Sequence, residues 1–61
     1  MNILEQYVTN ITSESKRIID GVIIYELVCD IECYGNVIEQ EHIYLLENDY
    51  KMVKEKGYYL A

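Results

Sequence analysis

Apolar and polar residues alternate with a period of two through the middle of the chain, from Ile23 to Tyr34. Side chains of a strand point alternately to its two faces, so this pattern predicts a long strand with one buried face. The predicted buried positions are Ile23, Tyr25, Leu27, Cys29, Ile31 and Cys33. Residues 37–46 are rich in β-branched and aromatic side chains, which predicts a second strand returning beside the first.

Two dipeptides typical of tight turns bound the first of these strands. Asp20-Gly21 suits a type I′ turn, and Gly35-Asn36 suits a type II′ turn with glycine at its first central position. A two-residue loop at Gly35-Asn36 places Tyr34 opposite Val37 and sets the pairing of every residue further along the hairpin. We therefore expect an antiparallel hairpin closed by this turn.

Residues 46–57 change to a helical pattern. Leu46, Tyr50 and Val53 recur at helical spacing, acidic residues begin the segment, lysines end it, and Gly57 follows where a helix commonly stops. This predicts a helix of about ten residues covering one side of the hairpin. Residues 58–60 either add a short strand or dock on the core.

The N-terminal segment fits two structures. Residues 3–11 carry a helical apolar stripe behind an Asn2/Glu5 capping box, yet residues 7–12 consist of strand formers. We favour a strand, here or at residues 15–19, which would complete a three-stranded meander. The predicted fold class is thus α+β: a small antiparallel β-meander of two to three strands with a C-terminal helix packed on one face, and an N-terminal strand or short helix.

The chain of 61 residues, 51% apolar and 26% charged, has the size and composition of a single compact domain, residues 1–61. No export signal or membrane-spanning segment is evident, which favours the cytoplasm. Cys29 and Cys33 lie four apart in one predicted strand, about 13 Å between their Cα atoms, too far for a disulfide. Because a core of this size is small, we expect self-association, as a homodimer, to supply further stability.

The net charge of −6 is unevenly distributed along the chain. No lysine or arginine occurs between Arg17 and Lys51, whereas that span carries eight carboxylates. These are Asp20, Glu26, Asp30, Glu32, Glu39, Glu41, Glu47 and Asp49. The sign of this charge disfavours direct binding of nucleic acid, and no glycine-rich phosphate loop is present.

In the predicted hairpin register, four of these carboxylates form a two-by-two grid on one face. Glu32 lies opposite Glu39, and Asp30 lies opposite Glu41. Like charges on directly paired residues of two strands repel each other, so the grid is either screened by solvent or serves to bind a partner. A three-residue loop would dissolve the grid, but would put Glu39 and Glu41 on the buried face. A calcium or magnesium site is disfavoured because a sheet face splays its carboxylates apart.

The same register places Cys29 opposite His42, which suggests a nucleophile and its base. Both would lie on the buried side, where a thiol is usually inert. Zinc needs about four converging ligands, and two distant cysteines with one histidine do not supply them. We therefore expect no catalytic residue, no metal and no cofactor.

These observations favour a protein that acts by binding another protein. We expect a non-enzymatic interaction module whose acidic sheet face meets a basic partner surface through Asp30, Glu32, Glu39 and Glu41, with Tyr34 at the edge. By analogy of size and charge, it could be a nucleic-acid mimic or inhibitor encoded by a mobile element. The alternative is a structural or regulatory homo-oligomeric subunit whose acidic face is only solvated.

Overall fold

The computed structural model describes residues 3–61, which form one antiparallel sheet and one helix. The elements are β1 (Glu5–Ile19), β2 (Val22–Cys33), β3 (Asn36–Leu46), α1 (Glu47–Lys56) and β4 (Tyr58–Leu60). The strands lie in the order β3-β2-β1-β4. Within the described residues, no helix has the length and apolarity needed to cross a membrane.

The predicted fold class, an α+β meander of two to three strands, is wrong, because the sheet has four strands and the described chain is mostly strand with one short helix. Both candidate N-terminal segments belong to β1, so the helical alternative for residues 3–12 is also wrong over the residues described. The Asn2/Glu5 capping box lies partly outside them. Residues 58–60 do form a strand: β4 pairs with the start of β1, with Tyr7 opposite Tyr58 and Glu5 opposite Leu60.

The helix follows its predicted pattern. It ends at Lys56, and Gly57 takes a left-handed conformation with φ of 85° while its N–H bonds to the carbonyl of Val53. A glycine reaches this conformation at no steric cost, which is why it marks helix ends. Val53 is buried, but Leu46 precedes the helix and stays 55% exposed, so its predicted place on the packed stripe is wrong.

The core lies between the helix and one face of the sheet, which we call the helix face. Its buried members are Val8, Leu27, Cys29, Ile31, Ile43, Leu45 and Val53. Tyr25 and Tyr50 stack across this interface, with ring centroids 3.7 Å apart and planes 4° from parallel. Leu27, Cys29 and Ile31 of β2 thus lie in the core, as their alternation predicts. Ile23 and Cys33, also predicted to be buried, are only half-buried.

The first hairpin turn is confirmed and the second is displaced by one residue. Asp20 and Gly21 have φ values of 51° and 78°, the two positive angles of a type I′ turn. The second turn places Tyr34 and Gly35 at its centre, with φ values of 51° and 79°, and Cys33 pairs with Asn36. It is therefore also type I′, with glycine at the second position rather than the first.

A bulge in β3 shifts the register a second time. Ile31 pairs with Ile38 and Cys29 pairs with Glu41, so two residues of β3 lie opposite one residue of β2. The bulge allows Ile38 and Ile43, whose spacing is out of phase for a regular strand, to share the helix face. This is why alternation in residues 37–46 is weak in the sequence.

The other side of the sheet, which we call the open face, has no helix over it. Near the middle of this face, the Glu26 carboxylate lies between basic side chains of the two neighbouring strands. The Arg17 guanidinium on β1 is 3.4 Å from one carboxylate oxygen, and the His42 ring nitrogen Nε2 on β3 is 2.9 Å from the other. Apolar side chains also lie on this face, and several are about half exposed. They include Ile19, Val22, Tyr44 and Leu46.

Candidate functional site

The predicted grid of four carboxylates does not form. Glu32 lies opposite Val37, not opposite Glu39, and Glu41 lies opposite Cys29, not opposite Asp30. The changed register also moves Glu41 to the helix face, whereas Glu32 stays on the open face. The premise of a single acidic array is therefore wrong, because a displaced turn and a bulge alter both the pairing and the faces of these side chains.

Asp30 is engaged within the protein. One carboxylate oxygen accepts the backbone N–H of Gln40 at 3.0 Å, and the other accepts the side-chain amide of Asn10 at 3.3 Å. Asn10 and Gln40 are non-glycine residues with positive φ, 49° and 52°, at the irregular positions of β1 and β3. Asp30 on β2 therefore stabilises the irregular positions of both neighbouring strands, β1 and β3, which is a structural role.

The proposed pairing of Cys29 with His42 is also absent. His42 lies opposite Val28 on the open face, while Cys29 is 1% exposed in the core. Burial, and then the nearby charges of Asp30 and Glu41, raise the pKa of the Cys29 thiol. A buried thiol held in its neutral form is a poor nucleophile. The two cysteines are free, in agreement with the distance argument.

Two of the predicted partner residues, Glu32 and Tyr34, meet in a groove at the end of the sheet. The groove has a volume of about 400 Å³ and lies between the start of β1 and the β2–β3 turn. It is lined by Ile3, Leu4, Glu5, Tyr7, Glu32, Cys33, Tyr34 and Gly35. Tyr7 pairs directly with Glu32 across the strands, which brings the N-terminal residues to this site.

The groove combines negative charge with aromatic walls. The Tyr7 hydroxyl donates a hydrogen bond to Glu5 at 3.1 Å, and this bond, with the charge of Glu5 and a smaller effect of Glu32, raises the pKa of Tyr7. Among residues 3–61 there are four ion pairs, and neither Glu5 nor Glu32 belongs to one. The groove therefore presents two carboxylates that the described part of the chain leaves without a cation.

Tyr34 stands out on this groove. Its side chain is 84% exposed, and its backbone has a φ of 51°, a conformation that asparagine, aspartate and glycine tolerate and aromatic residues rarely adopt. The turn therefore carries a large aromatic side chain at a position where a small polar residue is the ordinary choice.

Glu39 and Glu41 lie outside the groove. Glu39 is exposed in the bulged part of β3, and Glu41 is half-buried beside the core. Sequence reasoning missed Glu5 and Tyr7, because their place beside Glu32 depends on the long register between β1 and β2. The strand-forming residues of the N-terminal segment were the available sequence signal that Glu5 and Tyr7 belong to a strand of the sheet.

The described residues contain no group of three or more histidine, cysteine or acidic side chains arranged to hold a metal ion. No protein-family model matches the chain, and no curated protein and no solved structure shows significant similarity to it. The case for function therefore rests on the geometry of the groove and of the open face.

Proposed function

We propose that this protein is a non-enzymatic interaction module that binds a basic segment of a partner protein in the groove. Glu5 and Glu32 supply the charge that attracts a lysine or arginine side chain. Tyr7 and Tyr34 supply aromatic surface for its alkyl stem and for a cation–π contact. The volume of about 400 Å³ suits one or two such side chains rather than a folded domain.

The single observation that carries this proposal is the placement of Tyr34. A left-handed conformation costs an ordinary residue about 1–2 kcal/mol, and this side chain recovers little of that cost because it is 84% exposed. Strain at an exposed residue is a reason to look for function there. Tyrosine is also enriched at protein interfaces, where its ring is covered and its hydroxyl stays hydrogen-bonded.

The groove supports this proposal better than it supports a nucleic-acid mimic. A mimic of the phosphate backbone needs a regular row of charges, and the predicted row is divided between two faces and a bulge. Inhibition of a nucleic-acid-binding host protein stays a prediction that depends on which basic segment the groove selects. We propose a cytoplasmic location, consistent with two free cysteines.

The test is a titration with labelled arginine-rich and lysine-rich peptides, followed by fluorescence anisotropy. We expect Glu5→Gln/Glu32→Gln to weaken binding by about tenfold or more, because both charges of the groove are lost. The matched control is Glu39→Gln/Glu41→Gln, which makes the same change in net charge outside the groove and should alter binding by less than about threefold.

The salt dependence and the outcome of the control decide between specific and diffuse attraction. Binding in the groove should weaken as ionic strength rises, because its carboxylates are exposed. Equal losses in the two double variants would show that only net charge matters, and the groove would have no special role. Unchanged binding in Glu5→Gln/Glu32→Gln would also refute the proposal.

A further inference from the structure

The long strand β1 has no partner along most of its outer edge. β4 covers that edge only at residues 5–7, and the last backbone bond on this side joins the N–H of Val8 to the carbonyl of Gly57. Beyond Val8 the strand continues for eleven residues, all of them exposed. Such an edge is a template for another strand, because its outward N–H and C=O groups have no partner within residues 3–61.

Alternate residues of this edge direct their backbone groups outward. Ile19 and Val22 flank the type I′ turn and share its hydrogen bond, so the odd-numbered residues leading to Ile19 face β2. The N–H and C=O groups of Glu14, Lys16 and Ile18 therefore point away from the sheet. The irregular part of β1 ends at residue 13, so residues 13–19 offer a regular ladder to a further strand.

Charge is balanced along this edge, although the molecule as a whole carries −6. Three cations and three carboxylates lie on residues 13–20 or pair with them: Lys16, Arg17, Lys54, Glu14, Asp20 and Glu26. The other long free edge, that of β3, differs, because residues 36–47 carry three carboxylates and no lysine or arginine. A second copy of this acidic chain is therefore repelled less at the edge of β1 than at the edge of β3.

One antiparallel register of two β1 edges matches opposite charges. With Ser15 opposite Ser15 of the second copy, Glu14 lies opposite Lys16 in both halves of the pairing, on the helix face. Glu14 already accepts Lys54 at 2.8 Å and Tyr50 at 2.6 Å. The two oxygens of a carboxylate accept about four hydrogen bonds, so Glu14 retains capacity for Lys16 of the second copy.

The neighbouring registers are unfavourable. Only residues that both direct their backbone outward can exchange hydrogen bonds, so an antiparallel pairing must be centred on a residue. Centring it on Glu14, on Lys16 or on Arg17 opposes that charge to its own copy. Centring it on Ser13 places the β1–β2 turn of the second copy over β4, which pairs with residues 5–7. The charge-matched register stops that turn short of β4.

We infer that this protein forms a two-fold symmetric homodimer by antiparallel pairing of residues 13–17 of β1 with the same residues of a second copy, which joins the two sheets into one. Lys16 belongs to none of the ion pairs among residues 3–61, and it gains Glu14 of the second copy as its partner. The two grooves lie at opposite ends of the joined sheet, so Glu5 and Glu32 do not face their own copies.

Neighbouring serines of β1 provide a matched pair of cysteine variants, each made with Cys33→Ser to remove the half-buried thiol. Ser15→Cys places two thiols opposite each other in a pair without hydrogen bonds, with Cα atoms about 4.5 Å apart, within reach of a disulfide. Ser13→Cys is also exposed and on the same face, but its two thiols lie about 13 Å apart along the strand.

Non-reducing electrophoresis after exposure to oxidised glutathione compares the two variants. We expect Ser15→Cys to form the cross-linked dimer at least about tenfold faster than Ser13→Cys, because only the first pair meets the geometry of a disulfide. Equal rates, or faster cross-linking of Ser13→Cys, would overturn the proposed register.

Analytical ultracentrifugation under reducing conditions, between about 5 µM and about 1 mM, measures association without a cross-link. The wild type should shift with concentration from 7.2 kDa toward twice that mass. Lys16→Glu opposes carboxylates in both halves of the pairing and should weaken dimerisation by about tenfold or more. The control Lys51→Glu makes the same change in net charge on the helix and should stay within about threefold of the wild type.

A wild type that sediments as a monomer throughout this range overturns the inference, and so do equal effects of the two lysine variants. Amide hydrogen exchange locates the covered edge: the N–H groups of Glu14 and Lys16 should become protected as concentration rises, while the outward N–H groups of β3 continue to exchange. Protection along β3 instead would also contradict the pairing. A wild type that dimerises but binds no basic peptide would refute only the proposed function.

Discussion

The carboxylate of Asp30 accepts the backbone N–H of Gln40 at 3.0 Å, across the bulge that resets the register of β3. This contact holds one acidic residue of β2 within the fold, whereas Glu32, two positions along the same strand, is exposed. It also connects the bulge in β3 to the irregular part of β1, since Asp30 accepts a second bond from Asn10.

Asp30→Ala should destabilise the protein by about 1–2 kcal/mol, because a charge-assisted hydrogen bond to the backbone is lost at a strained position. The control is Glu32→Ala on the same strand and face, which removes the same charge and should change stability by less than about 0.5 kcal/mol. Urea unfolding measures both. Equal free energies of unfolding for the two variants would show that the contact contributes nothing.

Tyr34→Asn should stabilise the fold while it impairs binding. Asparagine followed by glycine is the preferred sequence of a type I′ turn, so we expect a gain of about 0.5–1 kcal/mol. Affinity for basic peptides should fall, because the aromatic wall of the groove is removed. Thermal unfolding and peptide titration of one variant thus separate the two contributions of this residue.

The matched control for Tyr34→Asn lies in the other hairpin. Asp20→Asn changes the first residue of the first type I′ turn to asparagine, far from the groove, and should leave both stability and affinity nearly unchanged. A Tyr34→Asn variant that binds as well as the wild type would leave the strained tyrosine without the role assigned to it.

Glu14 should make part of the stability sensitive to acid. Its carboxylate accepts hydrogen bonds from Lys54 at 2.8 Å and from Tyr50 at 2.6 Å, joining β1 to the helix, and these bonds lower the pKa of Glu14. The folded pKa lies below the ordinary value of 4.5, so this stabilisation is complete above about pH 4.5. It is lost as the pH falls through the folded value.

Glu14→Gln should remove that acid-dependent component, which we place at no more than about 1 kcal/mol because Glu14 and Lys54 are partly exposed. The control, Glu47→Gln, breaks a looser ion pair with Lys51 at 3.6 Å within one helix and should have a smaller effect. Unfolding free energies measured from neutral pH to about pH 3 compare the two. Parallel curves for wild type and Glu14→Gln would contradict the prediction.

The two cysteines should differ in reactivity. Cys29 is 1% exposed and its thiol has a raised pKa, whereas Cys33 is only half-buried at the edge of the groove. A thiol reagent at neutral pH should modify Cys33 in the folded protein and reach Cys29 only after unfolding. Mass spectrometry of the labelled peptides distinguishes them. Rapid modification of folded Cys29 would revive the case for a catalytic thiol.

Local patterns in the sequence were sufficient for the elements whose determinants are close together in the chain. The alternation of residues 23–34 predicted β2, the Asp20-Gly21 pair predicted its turn, and Gly57 marked the end of the helix. Each of these depends on backbone sterics or on side chains a few residues apart, so the local sequence contains the necessary information.

Register and face depended on tertiary structure. A tyrosine occupies the left-handed position of the second turn and a bulge follows it, because this arrangement buries Ile43 and Leu45 beneath the helix. No local preference of the sequence predicts a positive φ at Gln40. The displaced turn and the bulge moved the four carboxylates of the predicted grid apart, and the pairing of β1 with β2 placed Glu5 and Tyr7 beside Glu32 instead.

The sequence by itself thus determined the main strands, the helix and the excess of negative charge, since these follow from composition and short-range periodicity. The tertiary structure decided which carboxylates are engaged, which remain free and which face stays uncovered. In a sheet, a shift of one residue moves a side chain to the opposite face, and the energy that selects the shift comes from contacts distant in the chain.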